Sequence, residues 1–467
     1  MTDSSNAGSG SDWEQTLDLI IAQTEAAELD LSLHSNDVGG RKQAGAFYTP
    51  ADVADHAWEQ FFRIHRICSA DDLRAFIDHT HFVEPSAGSG IFIFAFLRKV
   101  LQRGLHPQEL QAISFSVVDL SLSALRFVHR QIGTIQESLG ITLDRFHLHQ
   151  ENFLTWLPQQ PFSSIAFVGN PPYVANPKGS RWRNLFADFL QHMLDVPAEH
   201  RSVGLILPMS VCFSRDFEEL RKLIYDSGLG ISSANYDNIP DCLFKSGKPE
   251  SSNSNKANSQ RCTILMLGGG DPNRRDATAL MRWSVRERAQ LLGAVPHFEP
   301  FATYDFDEQI PRPSCHGIMR YLETARTGQR LGDMLVRSQR AEFSVGAVAR
   351  NFIGIRETSN TDSSVIPICG RTRDESMVLL QILASPVFYE FWRTLGDGFH
   401  VTRDLIRKFP LSESLQRSCI RNVSKAREAW SRRESFAREK LNSGKIVRSY
   451  DFRTEFNYLA AELNRLV

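Results

Sequence analysis

Between residues 80 and 270 the sequence alternates strand-like runs with amphipathic stretches, and few folds accept that alternation. The runs lie at His81 to Pro85, Ser114 to Val118, Phe146 to Gln150, Ile165 to Val168, Val203 to Leu207, Ile231 to Tyr236 and Cys262 to Leu267. Helical patterns fall between them at Ile91 to Val100, Leu185 to Leu194 and Phe213 to Tyr225. Short apolar runs bounded by turn formers read as buried strands. Strands and helices in this rhythm call for an α/β, doubly wound sheet with right-handed crossovers, complete near residue 270. The Ser/Asn-rich stretch Ser251 to Gln260 reads as a flexible loop between the last two strands.

Open sheets of this kind bind ligands beyond the C-terminal ends of their strands, and four of those ends carry distinctive residues. The first runs into Glu84-Pro85-Ser86-Ala87-Gly88-Ser89-Gly90. Strand, glycine turn and helix is the layout of a nucleotide-type cofactor loop, where glycines let the backbone approach the ligand. The segment is not GxGxxG, and no lysine follows as a phosphate-binding loop would need. A tight turn without a ligand would use the same residues. The second strand ends in Asp119, where an acidic residue accepts from ribose hydroxyls, and the third in Glu151-Asn152-Phe153. The fourth delivers Gly169-Asn170-Pro171-Pro172-Tyr173. Its two prolines hold φ near about −65° and keep Asn170 out of helical geometry, so the Asn170 amide and the Pro171 carbonyl can face one point. Both are acceptors, and a neutral amino group fits between them. A rigid turn with a stacked tyrosine would explain the same letters.

Upstream, residues 1 to about 12 are Ser/Gly/Asn-rich and are expected to be disordered. Leu17, Ile20, Ile21 and Ala26 suggest one amphipathic helix from Trp13 to Leu33. After Gly39-Gly40 comes Gly45-Ala46-Phe47-Tyr48-Thr49-Pro50, then a helical stretch from Ala51 to Ile64. Thr49-Pro50-Ala51-Asp52 places a cap and a proline at the helix start and leaves N–H groups that could receive a carboxylate. Helix capping alone would explain the segment.

Length and charge limit the alternatives. A chain of 467 residues with 42% hydrophobic side chains has room for two or three domains. A net charge of −1 and a pI near 6.9 give no global basic signal, so a nucleic-acid partner would need a local positive surface. Seven cysteines without a CxxC pair, and no basic-then-apolar opening segment, read as a reduced cytoplasmic protein without a zinc ribbon. The longest apolar run, Ile91 to Leu97, is too short to span a membrane. His79/His81 and His147/His149 are HxH pairs without a third ligand nearby and read as strand histidines, with no metal expected.

GAFYTP, VEPSAGSGIF, an acidic strand end, ENFL and GNPPYV, in this order, resemble the DNA adenine-N6 methyltransferases that place their cofactor motifs before the catalytic motif. The resemblance covers roughly residues 40 to 270. It implies a seven-stranded methyltransferase sheet with a reversed final hairpin and S-adenosyl-L-methionine as cofactor. By motif match, Tyr48, Thr49 and Pro50 would line the methionine end of the cofactor and Glu84 would take its amino group. Gly88 and Gly90 would give backbone room, with Pro85, Ser86 and Ala87 lining the loop between. Asp119 would bind the ribose beside Leu120, and Asn152 would meet the adenine amino group beside Phe153. The family usually holds an aspartate where this chain has Asn152, which weakens that contact. Asn170 would face both cofactor and substrate. With the carbonyl of Pro171, in the turn shaped by Pro171 and Pro172, it would bond the N6 hydrogens of an adenine swung out of double-stranded DNA. Tyr173 would stack on that base, and Phe244 is the candidate for its other side, unless it is a core phenylalanine at a strand end.

The remainder has a different character. Residues 1–39 are expected as a tail and helix, 40–270 as the methyltransferase domain, 271–410 as a mixed α/β target-recognition domain and 411–467 as terminal helices. Residues 271–410 carry Arg312, Arg337, Arg340, Arg356, Arg371, Arg373 and Arg403, a supply of guanine or phosphate contacts that scattered surface arginine would equally explain. LLQILASPVFYEFW and GDGFHVTRDLIRKFPL resemble target-recognition domains of restriction-modification modules. No Asp/Glu-x-Lys triplet occurs and no extra domain precedes residue 40, so modification without cleavage is expected, with a separate nuclease or defence subunit as a possible partner. A methyltransferase acting on RNA or on protein glutamine, and a non-catalytic DNA-binding subunit, are the competing readings.

Overall fold

The structure, a computed structural model, describes residues 10–34, 49–159, 161–238, 240–244, 260–302, 309–336, 341–358, 364–442 and 445–464. Tyr48, Arg337, Arg340, the expected N-terminal tail up to residue 9 and most of the 251–260 loop lie outside the described residues.

The seven expected strands and two further ones pair into one sheet of order β3-β2-β1-β4-β5-β7-β6-β8-β9. They are β1 (Thr80–Glu84), β2 (Ser114–Asp119), β3 (Phe146–Gln150), β4 (Phe162–Gly169), β5 (Ala198–Pro208), β6 (Ile231–Tyr236), β7 (Cys262–Leu267), β8 (Arg275–Met281) and β9 (Glu299–Pro300). The strands β3, β2, β1, β4 and β5 are parallel, and β7 runs antiparallel to both β5 and β6. The seven-stranded order with its reversed hairpin is therefore present, but β8 and β9 extend it to nine strands, so the sheet is not complete at residue 270.

The helices α1 (Gly10–His34), α2 (Ala51–Ile64), α3 (Ala70–His79), α4 (Ile91–Gln102) and α5 (Leu122–Leu139) precede or follow the first strands. In α2 the buried stripe Val53, Ala54, Ala57, Trp58, Phe61 and Phe62 has helical spacing. Trp58 is its centre: its ring lies 4.5 Å from that of Phe96, and its indole N–H donates to the Phe92 carbonyl at 2.8 Å. Strand alternation divides β4 between two layers. Ala166 and Val168 join this core, while Phe167 meets Phe153, which in turn packs on Phe189 of α6 (Leu185–Asp195).

Two local expectations need correction. In α1 the buried stripe is Leu17, Ile20, Ile21 and Thr24, and Ala26 is exposed, because Thr24 satisfies its hydroxyl on the Ile20 carbonyl and can take the inward position. The stretch Phe213 to Tyr225 is not one helix. A short helix ends at Phe213, extended Ser214 accepts from the Asp216 N–H, and α7 (Glu218–Asp226) starts four residues later. The buried Arg221 donates to the Val211 and Ser214 carbonyls at this break.

By contacts the chain divides into two units, residues 1–276 with 281–298, and residues 277–280 with 299–467. The second unit holds a five-stranded sheet of order β12-β10-β11-β14-β13, formed by β10 (Phe343–Gly346), β11 (Ile355–Arg356), β12 (Val365–Ile368), β13 (Ala437–Asn442) and β14 (Lys445–Tyr450). Its pairings are antiparallel. The expectation of terminal helices holds for Glu413–Arg421 and Val423–Ser431 but fails at Ala437–Asn442 and Lys445–Tyr450, which pair as antiparallel strands. Ala437, Arg438, Glu439, Lys440 and Leu441 are helix formers by propensity, and pairing of β14 with β11 overrides that weak preference. Arg312, expected among DNA-facing arginines, is buried and donates to the Ile310 and Gly396 carbonyls, a structural role.

Candidate functional site

Parallel register sets the ends of β2, β1 and β4 side by side, with Glu84 opposite Val117 and Val83 opposite Phe167. The turn after β1 is shaped by Gly88 at φ 51° and Gly90 at φ 83°, left-handed values that side chains disfavour. It is pinned to β2 by the Ala87 N–H on the Val118 carbonyl at 3.2 Å and by the Gly88 N–H on Asp119 Oδ2 at 2.9 Å. The other Asp119 oxygen accepts from the Ser121 N–H at 2.7 Å. Glu84 is buried at the strand end, a carboxylate held inside the protein beneath this turn.

Asn170 is held from both sides. Its carbonyl accepts from the Ser86 hydroxyl at 3.2 Å, and its side-chain Nδ2 donates to Thr49 Oγ1 at 3.1 Å. Gly169 permits this closeness, because a Cβ there would stand 3.2 Å from Pro85 Cδ. A continuous set of contacts therefore runs from Asp119 through Gly88 and Ser86 to Asn170 and Thr49. Pro171 is buried and Pro172 half-buried.

The start of α2 differs from a simple capped helix. Pro50 is the capping residue and no side chain caps the helix. The Ala51 N–H donates instead to Glu25 Oε1 of α1 at 2.9 Å, so an acidic side chain does sit at this N-terminus. Thr49 is buried and turned to Asn170, so capping does not explain it.

Tyr173 donates its hydroxyl to the Ile206 carbonyl of β5 at 2.9 Å, and burial pushes its phenol above the usual range. The structure brings Phe244 to it, with ring centroids 6.2 Å apart and planes at 65°. Phe244 is itself buried, and these rings meet edge to face with no parallel slot between them. Behind Phe244, Arg288 donates to the Cys242 and Leu243 carbonyls and to both oxygens of Asp52 on α2.

Other expected residues sit apart from this cluster or have a different task. Asn152 is exposed, and its Oδ1 accepts from the Leu154 N–H, capping a short 3-10 turn. Phe153 is buried among Trp156, Phe167, Phe189 and His192, as a core ring. Leu120 is 71% exposed beside Asp119. His81 bridges Ser114 and Ser116 of β2, and burial, reinforced by His147, His149 and Arg145, lowers its pKa to about 3. Among the described residues no group of three or more His, Cys, Asp and Glu could hold a metal ion. Among them, too, no helix is long and apolar enough to cross a membrane.

Sequence reasoning missed Glu25, Arg288 and Ser121. The Asp119-Leu120-Ser121 turn had a local signal, since aspartate commonly accepts from the N–H two residues on. Glu25 and Arg288 had none, because their partners lie 26 and 236 residues away.

No family model matches the chain. It is 25% identical over 182 residues to the Type II methyltransferase M.BstVI of Geobacillus stearothermophilus, a match that spans 32% of each chain. Among solved structures, the Type IIL restriction-modification enzyme MmeI in complex with DNA is 11% identical, with a TM-score of 0.50 over 92% of this chain and 76% of that one. The type IIG restriction endonuclease BpuSI is also 11% identical, with a TM-score of 0.44 over 91% and 66%. The chain thus resembles restriction-modification methyltransferases in sequence over a third of its length, and it shares the fold of MmeI.

Proposed function

We propose that this chain, similar to restriction-modification methyltransferases, moves a methyl group from S-adenosyl-L-methionine to the N6 amine of adenine in double-stranded DNA. The observation that carries the reading is the convergence of Glu84, the Gly88–Gly90 turn, Asp119 and Asn170-Pro171-Pro172-Tyr173 at neighbouring strand ends.

The residues present fit the cofactor. A buried carboxylate at Glu84 suits an ammonium group, and the left-handed glycines keep side chains out of the turn. Each Asp119 oxygen accepts one backbone N–H and retains a lone pair for a hydroxyl. When bound, S-adenosyl-L-methionine supplies an electrophilic methyl group on a sulfonium.

The protein's task is then the amine. The N6 lone pair is delocalised into the adenine ring and is a poor nucleophile. Asn170 Oδ1 and the Pro171 carbonyl would accept its two hydrogens, favour a pyramidal nitrogen and stabilise the positive charge that grows on it. The two prolines hold these acceptors in place before the base arrives. Extruding the base costs a few kcal/mol, and stacking on Tyr173 worth roughly 1–3 kcal/mol offsets this. Phe244 would close the other side after the two rings part.

In this reading the second unit chooses the DNA sequence, since a pocket gripping one extruded base cannot read its neighbours. Arg371, Arg373 and Arg403 are exposed there, and phosphate or guanine would draw Arg371 from Glu375 and Arg373 from Glu342, each a loose 4.0 Å pair. A separate nuclease or defence subunit is the corresponding partner. The test is incubation with S-adenosylmethionine labelled in the methyl group and with duplex DNA, RNA or protein. Label entering the duplex supports the proposal; label entering only RNA or protein rejects it.

A further inference from the structure

We propose that Arg288 is a positioning residue for Phe244: it fixes the backbone that carries this ring, so that only the ring has to turn when an extruded adenine enters beside Tyr173. This rests on the catalytic reading above. Phe244 stands between β6 and β7, outside any strand or helix. Such a segment, left to itself, would have to be ordered each time a base arrives, at an entropic cost for every residue fixed.

Three consecutive carbonyls show how the segment is held. Arg288 Nη1 donates to the Cys242 carbonyl at 2.9 Å and Nη2 to the Leu243 carbonyl at 2.7 Å. The Phe244 carbonyl accepts from the Cys242 thiol at 2.8 Å. One residue upstream, the Asp241 N–H donates to the Trp283 carbonyl at 3.2 Å. A guanidinium only donates and a carbonyl only accepts, so none of the Arg288 bonds can reverse. The fork is itself anchored, with Nε and Nη2 donating to the two oxygens of Asp52 at 2.7 and 3.1 Å and Asp241 lying 3.8 Å from Nη1. The Arg288 side chain is 11% exposed, which leaves water little access to these bonds. The opposite ring is held as well, by the Tyr173 hydroxyl on the Ile206 carbonyl. With both supports fixed, the change of the ring planes from 65° toward parallel falls to the soft side-chain torsions of Phe244.

The test uses the full chain and plasmid DNA free of methylated adenine, which offers many sequences at once. Arg288→Lys keeps a charge beside Asp52 but lacks the fork, so it cannot bond Asp52 and both carbonyls together. Single-turnover methyl transfer at saturating S-adenosylmethionine and DNA is measured for wild type, Arg288→Lys, Phe244→Ala and the double variant. Removing a base-stacking aromatic costs about five- to 150-fold, and Arg288→Lys is expected to lose part of this, about fivefold. In the Phe244→Ala background the same substitution should cost less than about twofold, because no ring remains to be positioned. A merely structural Arg288 would slow both backgrounds equally. An Arg288→Lys rate equal to wild type, or an equal loss with and without Phe244, overturns the proposal. Should Arg288→Lys not fold, Asp52→Asn, at a side chain 40% exposed, loosens the anchor from its other end and is held to the same cycle.

A second readout does not depend on turnover. Cys242 is 6% exposed, and its alkylation by iodoacetamide, located by peptide mass spectrometry beside the exposed Cys68, should quicken about fivefold or more in Arg288→Lys. An unchanged Cys242 rate with Cys68 reacting normally means that the segment is held without Arg288, and overturns the proposal. A wild-type protein that transfers nothing to DNA while Cys242 responds as expected instead rejects the catalytic reading and leaves the backbone support established.

Discussion

Replacing Gly90 by alanine should destabilise the first unit with no ligand in solution. Gly90 sits at φ 83°, where an L-residue costs roughly 1–2 kcal/mol. Its new Cβ would stand 2.9 Å from Val128 Cγ2 and 3.1 Å from Phe94 Cε2, both on fully buried residues with little room to retreat. Overpacking of that kind typically adds about 1–3 kcal/mol. Reduced freedom of the unfolded chain returns about 0.4–1 kcal/mol, so the net loss is on the order of 1–5 kcal/mol. Gly140→Ala is the matched control: it also has positive φ, at 62°, but nothing lies within 4 Å of its Cβ. Hydrogen exchange of peptides from β1 and α4 should report a larger loss of protection for Gly90→Ala than for Gly140→Ala. Equal losses would show that packing under the turn is looser than described and that only backbone strain is at work.

Asn170→Ala should bind cofactor near normally while single-turnover transfer falls by ~10²-fold or more, by analogy with losing one preorganised polar contact; near-normal turnover would remove its assigned role. Because His81 is buried neutral with its pKa near 3, against about 6.5 unfolded, the unfolded chain binds its proton first. Stability is therefore lost as pH falls from about 6.5 toward 3, by about 2 kcal/mol from this group at pH 5, and urea unfolding of His81→Gln should show that much less pH dependence. Arg288→Ala removes donors from Asp52 and from the 242–243 carbonyls, and should loosen the Phe244 segment by about 1–3 kcal/mol, read as faster exchange there with β1 to β3 unaffected. Exchanging residues 299–467 for those of a relative with another specificity should move methylation to the donor's site, mapped by sequencing; methylation of the original site would place recognition in the first unit.

The sheet was legible because each strand combined an apolar run with turn formers at both ends, and α2 because its proline start and apolar stripe agree. Legibility failed where a partner far along the chain decides the outcome. Residues 437–441 read as helix until β11 offers β14 an edge to pair with. The residues at the strand ends could be named, but their partners could not. Asn170 was visible as a rigid acceptor, whereas its bond to Thr49 exists only after α2 and β4 meet. Phe153 and Asn152 followed a motif, yet here one fills the core and the other caps a turn. Asn152 in place of the usual aspartate was the local sign that this strand end differs.

If Asn170 and the Pro171 carbonyl activate the exocyclic amine of adenine in duplex DNA, methylation must fall on N6 and depend on Asn170. Nucleoside mass spectrometry of DNA treated with wild-type protein and S-adenosylmethionine, beside Asn170→Ala, tests it most directly. N6-methyladenine is expected with wild type, and a yield lower by ~10²-fold or more at early times with Asn170→Ala. Methylated cytosine alone, or N6-methyladenine formed equally fast by both proteins, would contradict it.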